Sequence, residues 1–146
     1  MEKFIRQMQV RWSDLDPNFH LRHSVYYDWG AFSRIEFLNE FHLTPRLMQR
    51  LHFGPIIFRE ECIFKREIHF GDPITIDLKL IKARRNYSRW SIQHIIQKND
   101  DETCAILTVD GAWINTIERK LTVPPAEAEK VFSQMPVDEN FLWIQE

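Results

Sequence analysis

Glycine is scarce in this chain of 146 residues. Its 4 glycines stand at positions 30, 54, 71 and 111, which excludes the glycine-rich phosphate loop and the dinucleotide-binding fingerprint. Cysteine is scarcer still. Cys62 and Cys104 are the only 2 and lie far apart, so neither a disulfide framework nor a zinc knuckle is expected, and both read as reduced core residues. Long apolar runs are missing: no segment approaches the about 18 consecutive apolar residues of a membrane span. The opening MEKFIRQMQVRW lacks the apolar stretch of a secretory signal, so a cytoplasmic protein with no membrane role is expected. Positive charge is not in excess. Lys plus Arg total 19 against 21 for Asp plus Glu, a net charge of −2, which argues against backbone-driven nucleic-acid binding. Repeats, low-complexity tracts and linker-like stretches are absent too.

What is present is the composition of one folded domain. At 44% hydrophobic and 27% charged residues, a single domain over 1–146 with one core is expected. Residues 4 to 12 place Phe4, Met8, Val10 and Trp12 on one side of a strand. SDLDPNFHLRH then reads as a loop, because Pro17 pushes Asp16 away from helical geometry. From about His23 to Asn39, apolar residues at helical spacing (Val25, Tyr26, Trp29, Phe32, Ile35, Leu38) predict a largely buried helix. After a connector with Pro45, Gly54 and Pro55, four strands are expected at about 56 to 70, 74 to 83, 87 to 97 and 103 to 115. They read as antiparallel, separated by the turn-rich stretches GDP, RRN and NDDE. The tandem prolines 124 and 125 can open a short helix through about Gln134, and the last residues read as a surface strap carrying Phe141 and Trp143. The helix and strand lengths match, which favours an α+β arrangement in which one curved sheet wraps a central helix.

The run V-R-W-S-D-L-D-P-N-F-H-L-R-H-S-V-Y-Y-D-W, in this order of elements, resembles the hotdog-fold acyl-CoA thioesterases of the 4-hydroxybenzoyl-CoA thioesterase type. The resemblance covers nearly the whole chain. In that family a D-x-D loop follows the first strand, with a His past the second Asp and a Tyr within the central helix; here these are Asp14, Asp16, His20 and Tyr26. Gly71-Asp72 matches the family's Gly-Asp turn, but the proline usual before it is replaced by Glu67. Where family members often carry Gly before the His and Asn-Asn beyond it, this chain has Phe19, Arg22 and His23. The resemblance implies a hotdog sheet of about five strands and hydrolysis of acyl-CoA. It puts the catalytic carboxylate on Asp16 and the oxyanion donor at the backbone N–H near His23.

The residues taken by themselves agree with this chemistry. Thioester hydrolysis needs a carboxylate to attack the carbonyl or to activate water, and fixed donors for the developing oxyanion. A helix start supplies unpaired N–H groups, and no capping box stands near His23. Asp16 is therefore expected to act as nucleophile or general base, although an Asp before Pro is also an ordinary turn former. Asp14 is a candidate substrate contact whose plainer role is to fix the loop. His20 either orients Asp16 or the attacking water, or is a structural residue. The cluster of Asp14, Asp16, His20 and His23 has no second set of ligands to support it, so neither a metal nor any other cofactor is expected.

Arg84, Arg85 and Arg89 form the densest basic run and are the candidates for coenzyme A phosphates, against the plainer reading of a solvated hairpin. Tyr26, Trp29, Phe32 and Phe58 are candidates for an acyl channel, although aromatic residues at this spacing are usually core. The resemblance implies a homodimer or dimer of dimers, since one sheet leaves an edge open. Segment 57 to 61, with Glu61, would then face the loop of the other chain. Two other functions stay open: non-catalytic binding of an acyl-CoA or acyl chain, and an enoyl-thioester hydratase.

Overall fold

The computed structural model describes residues 3–145, so the expected domain over 1–146 extends at both ends beyond the described residues. The strands are β1 (Ile5–Met8), β2 (Phe53–Phe64), β3 (Ile74–Asp77), β4 (Lys79–Ala83), β5 (Arg89–Lys98), β6 (Glu102–Asn115), β7 (Lys120–Leu121) and β8 (Val137–Trp143). Helices α1 (His23–Glu40), α2 (Pro45–Arg50) and α3 (Ala126–Phe132) complete the chain. One curved sheet holds all the strands. β2, β6 and β5 are antiparallel neighbours; β3 and β4 form the next line, interrupted at Leu78, and the outer edge is shared by β1 on β3 and β8 on β4.

The expected curved sheet around a helix is therefore present, with several local differences. β8 is a paired strand that runs parallel to β4 and carries Trp143 against Ala83, so the terminal stretch is more than a strap. Strand β2 ends at Phe64 and does not continue to residue 70, because the N–H groups of Lys65 and Arg66 both turn to the Cys104 carbonyl. Helix α2 was not anticipated. Its signal was Thr44-Pro45: the threonine hydroxyl accepts the Leu47 N–H (3.1 Å) and proline occupies the first helical position. Trp12 is 71% exposed rather than on the strand's inner face, since the chain leaves β1 for a single 3-10 turn at Trp12–Asp14. Phe32 is 43% exposed, so helix α1 has an open side where burial was expected. Both cysteines are free thiols, Cys104 buried and Cys62 half-buried.

At Gly30 helix α1 presents bare backbone to the Leu107 side chain of β6. A Cβ added to Gly30 would lie 2.2 Å from Leu107 Cδ2, so any larger residue has to displace that fully buried side chain or the helix itself. Around that point the core divides. One apolar cluster holds Val25, Trp29, Ile76 and Ile96; the other holds Phe37, Leu38, Leu78 and Ile92. A polar layer from three elements falls between them: Arg34 from the helix, Asp77 at the end of β3 and the fully buried His94 on β5. Arg34 donates to His94 Nε2 (3.1 Å) and His94 Nδ1–H donates to the Asp77 carbonyl (2.8 Å). A carbonyl only accepts and a guanidinium only donates, so the ring is neutral with its proton on Nδ1. Burial, with the Arg34 charge beside it, pushes the His94 pKa down to about 3.

The unfolded chain protonates His94 near pH 6.5 and the folded chain does not, so this residue's stabilising share is complete at neutral pH. That share drains as pH falls from about 6.5 toward 3, at up to about 1.4 kcal/mol per pH unit. Denaturant unfolding at pH 6.5 and pH 5 is expected to show a smaller difference in His94→Gln than in the parent. Equal slopes in both proteins count against this reading.

Candidate active site

The two aspartates of the D-x-D loop have different surroundings. Asp14 is 1% exposed, and its carboxylate takes the Arg11 N–H (2.9 Å) and the Arg11 guanidinium (2.9 Å). The hydrogen bond from the Arg11 side chain holds the Asp14 pKa below the usual carboxylate range. The Asp14 carbonyl also accepts the Arg22 N–H (2.7 Å), which ties the loop to the helix start. As a substrate contact Asp14 is poorly placed: it does not line the neighbouring cleft, and its oxygens are committed to Arg11. It fixes the loop.

Asp16 opens a tight turn. Phe19 N–H donates to the Asp16 carbonyl (2.9 Å) and Asp16 N–H to the His20 carbonyl (2.8 Å). One carboxylate oxygen, Oδ1, accepts from Asn18 N–H (2.8 Å) and His20 N–H (3.1 Å). The other, Oδ2, has no hydrogen-bond partner among the described residues. Asp16 lines a cleft of about 320 Å³ together with His20, His23, Tyr26, Phe64, Lys65, Arg66 and Glu67. The turn therefore holds the carboxylate by one oxygen and leaves the second available at a cavity.

The start of helix α1 borders the same cleft. Its N-cap, Arg22, makes no side-chain cap, and among the described residues the N–H groups of His23 and Ser24 meet no acceptor. Tyr26 packs edge-on against Phe64 (4.9 Å between centroids), and burial raises its hydroxyl to a pKa of about 12, so it remains a proton donor. His20 reaches away from Asp16: its Nε2 is 3.2 Å from Glu67 Oε2 and its ring stands edge-on to His69. Its backbone serves Asp16 instead, the N–H donating to Oδ1 and the carbonyl accepting the Asp16 N–H.

Of the residues expected from sequence, Asp16, His20, His23 and Tyr26 come together here. Phe58, Glu61, Arg84, Arg85 and Arg89 do not reach this cleft within one chain. Arg89 pairs with Ala112 while Phe64 pairs with Ala105, seven residues along β6 or roughly 24 Å. Two of the arginines also have aromatic partners: Arg85 lies over Trp143 (4.8 Å) and Arg89 over Phe58 (4.6 Å). Glu61 pairs with Arg59 on the same strand. The cations that line the cleft are Lys65 and Arg66, which sequence reading passed over because it assigned them to a strand interior.

A curved antiparallel sheet around one helix, with an acid-bearing loop at the helix start, defines a hotdog protein. The sequence profile of the Thioesterase-like superfamily matches residues 10–132, and the chain belongs to that superfamily. Solved structures share the architecture. Slr0204, a 1,4-dihydroxy-2-naphthoyl-CoA thioesterase from Synechocystis, superposes with a TM-score of 0.81 at 17% identity, covering 90% of this chain and 96% of that one. SAV2348 from Staphylococcus aureus, solved in complex with CoA, gives 0.83 at 18% identity, covering 94% of this chain and 88% of its own. A DHNA-CoA thioesterase from Staphylococcus aureus gives 0.81 at 14%, covering 92% and 91%. Comparison with curated proteins gives no significant match.

The turn demands one unusual backbone. Phe19 has φ 64°, the left-handed region that favours glycine, at the position where relatives often carry Gly. Its side chain is 65% exposed, so little packing compensates for the strain. Phe19→Gly is expected to leave stability unchanged or raise it, by up to about 1 kcal/mol in urea unfolding. A clear loss of stability in that variant is the contrary result.

Proposed function

We propose that this protein hydrolyses acyl-CoA thioesters to the free acid and coenzyme A. The observation that carries the reading is the uncommitted Oδ2 of Asp16, at a cleft shared with an uncapped helix start. Asp16 attacks the thioester carbonyl directly, or takes the proton of a water that does. Negative charge gathers on the carbonyl oxygen opposite the N–H groups of His23 and Ser24, where the helix dipole favours it. Collapse breaks the carbon–sulfur bond and the coenzyme A thiolate leaves, taking up a proton. In the direct route the acyl–Asp16 anhydride is then opened by water. His20 acts as a positioning residue through the N–H that holds Asp16 Oδ1, and Tyr26 donates from the wall of the cleft.

In this reading the active unit is a pair of chains. Strand β2 has β6 on one side and no strand on the other among the described residues, and exposes Ile57, Phe58, Ile63 and Phe64 along that free edge. A twelve-residue edge with exposed apolar side chains on either side of Arg59, Glu60 and Glu61 is suited to antiparallel pairing with a second copy. Such pairing carries segment 57–61 of one chain, with Phe58 and Glu61, toward the loop of the other. It also gives Arg84, Arg85 and Arg89 their route to the coenzyme A phosphates, alongside Lys65 and Arg66 at the cleft itself.

Incubation with short, long and aromatic acyl-CoAs is expected to release free thiol, and Asp16→Asn to lower turnover at least ~100-fold with the fold intact. Binding without thiol release points instead to a carrier, and undiminished activity of the variant removes Asp16 from its role. In sedimentation experiments the parent is expected to be a dimer or larger, and Ile63→Lys to shift it toward monomer with reduced turnover. A fully active monomeric parent overturns the paired arrangement.

A further inference from the structure

Three side chains meet at the rim of the cleft, and the hydrolytic reading uses none of them. His20, in the loop after β1, faces His69, in the segment between β2 and β3, across an isolated antiparallel bridge. Leu21 N–H donates to the Ile68 carbonyl (2.8 Å), which pins both histidine backbones. Glu67 stands beside them, its Oε2 3.2 Å from His20 Nε2 and 3.8 Å from His69 Nε2. One ligand atom from each of the three residues lies within 4.8 Å of the others.

We infer that His20, Glu67 and His69 form a binding site for one divalent transition-metal ion of the zinc class. Tetrahedral ligation at about 2.0–2.1 Å sets ligand atoms about 3.3 Å apart, so two of the separations are already close and the third closes by at most about 1.5 Å. All three side chains are partly or well exposed, and small torsional changes at their tips supply that movement. The surroundings favour the same assignment. Asp72 accepts the His69 backbone N–H (2.8 Å), and its Oδ2 stands 3.9 Å from His69 Nδ1; a ring movement of under about 1 Å brings that nitrogen into hydrogen-bond range, which would fix its proton there and leave Nε2 to ligate. Lys98 braces the segment from behind, donating to the Glu67 carbonyl (2.8 Å). Two imidazoles and one carboxylate suit zinc, cobalt or nickel, whereas calcium and magnesium require more oxygen ligands than this site offers. Three protein ligands leave a fourth position open. Because His20 and Glu67 also line the cleft with Asp16, the ion sits within the substrate's surroundings.

This assignment is independent of thioester hydrolysis and is tested without substrate. The chelator-stripped full chain is titrated with zinc by calorimetry and with cobalt(II) by visible absorption. One equivalent per chain is expected, with the intense ligand-field bands of low-coordinate cobalt, and no binding of calcium or magnesium. Glu67→Gln and His69→Ala should each weaken cobalt binding at least tenfold, and Asp72→Asn by about tenfold, while His42→Ala leaves it unchanged. Glu67 is exposed, so its variant tests the site without threatening the fold. Failure of the parent to bind cobalt stoichiometrically, or binding that survives both ligand substitutions, overturns the site.

Discussion

Helix α1 reaches the sheet because residue 30 has no side chain, and the rest of the molecule is arranged around that contact. With the Leu107 side chain 2.2 Å from where a Cβ would stand, the helix is held at a depth that a larger residue reaches only by displacing the core. The Arg34, His94 and Asp77 layer then sets the helix along its axis: Arg34 meets His94 only at one register of helix against sheet, and the Asp77 carbonyl fixes the His94 ring that receives it. A helix located in depth and along its axis has a located N-terminus. That is what brings the free N–H groups of His23 and Ser24 to the Asp16 turn.

Two carboxylates separated by one residue carry different tasks because their partners differ. Asp14 is enclosed by Arg11 and held ionised by it, and through its carbonyl it fastens the loop to the helix cap. Asp16 is held by backbone N–H groups on one oxygen only. The first loses freedom to make the loop rigid, and the second keeps one oxygen unpaired, among the described residues, at the cleft in a position that the first has made definite. The left-handed Phe19 belongs to the same device, since the turn that presents Asp16 closes only with that backbone.

The fold was legible where local pattern decides it. Alternation in the sheet strands and helical spacing after residue 23 identified the central elements, and the D-x-D loop was recognisable because Asp, Pro and Asn state a turn by their own chemistry. Errors fell where a distant partner overrode the local pattern. Residues 65–70 continue an apolar-rich strand in sequence, yet the Cys104 carbonyl diverts the backbone and sends Glu67 and His69 to His20. β8 was read as a strap because nothing local signals that it has an edge to pair with.

By itself the sequence determined the order of elements, the helix that the sheet surrounds and the presence of an acid-bearing turn at its start. Each of these follows from neighbours a few residues apart. Only the tertiary structure decided which Asp16 oxygen is free, that Asp14 is sealed against Arg11, and that Arg84, Arg85 and Arg89 lie at the far end of their own sheet from the cleft. It alone gathered His20, Glu67 and His69. The physical reason is that strand register and helix depth are set by packing between segments remote in the chain, and spacing along a sequence carries no distance across a fold.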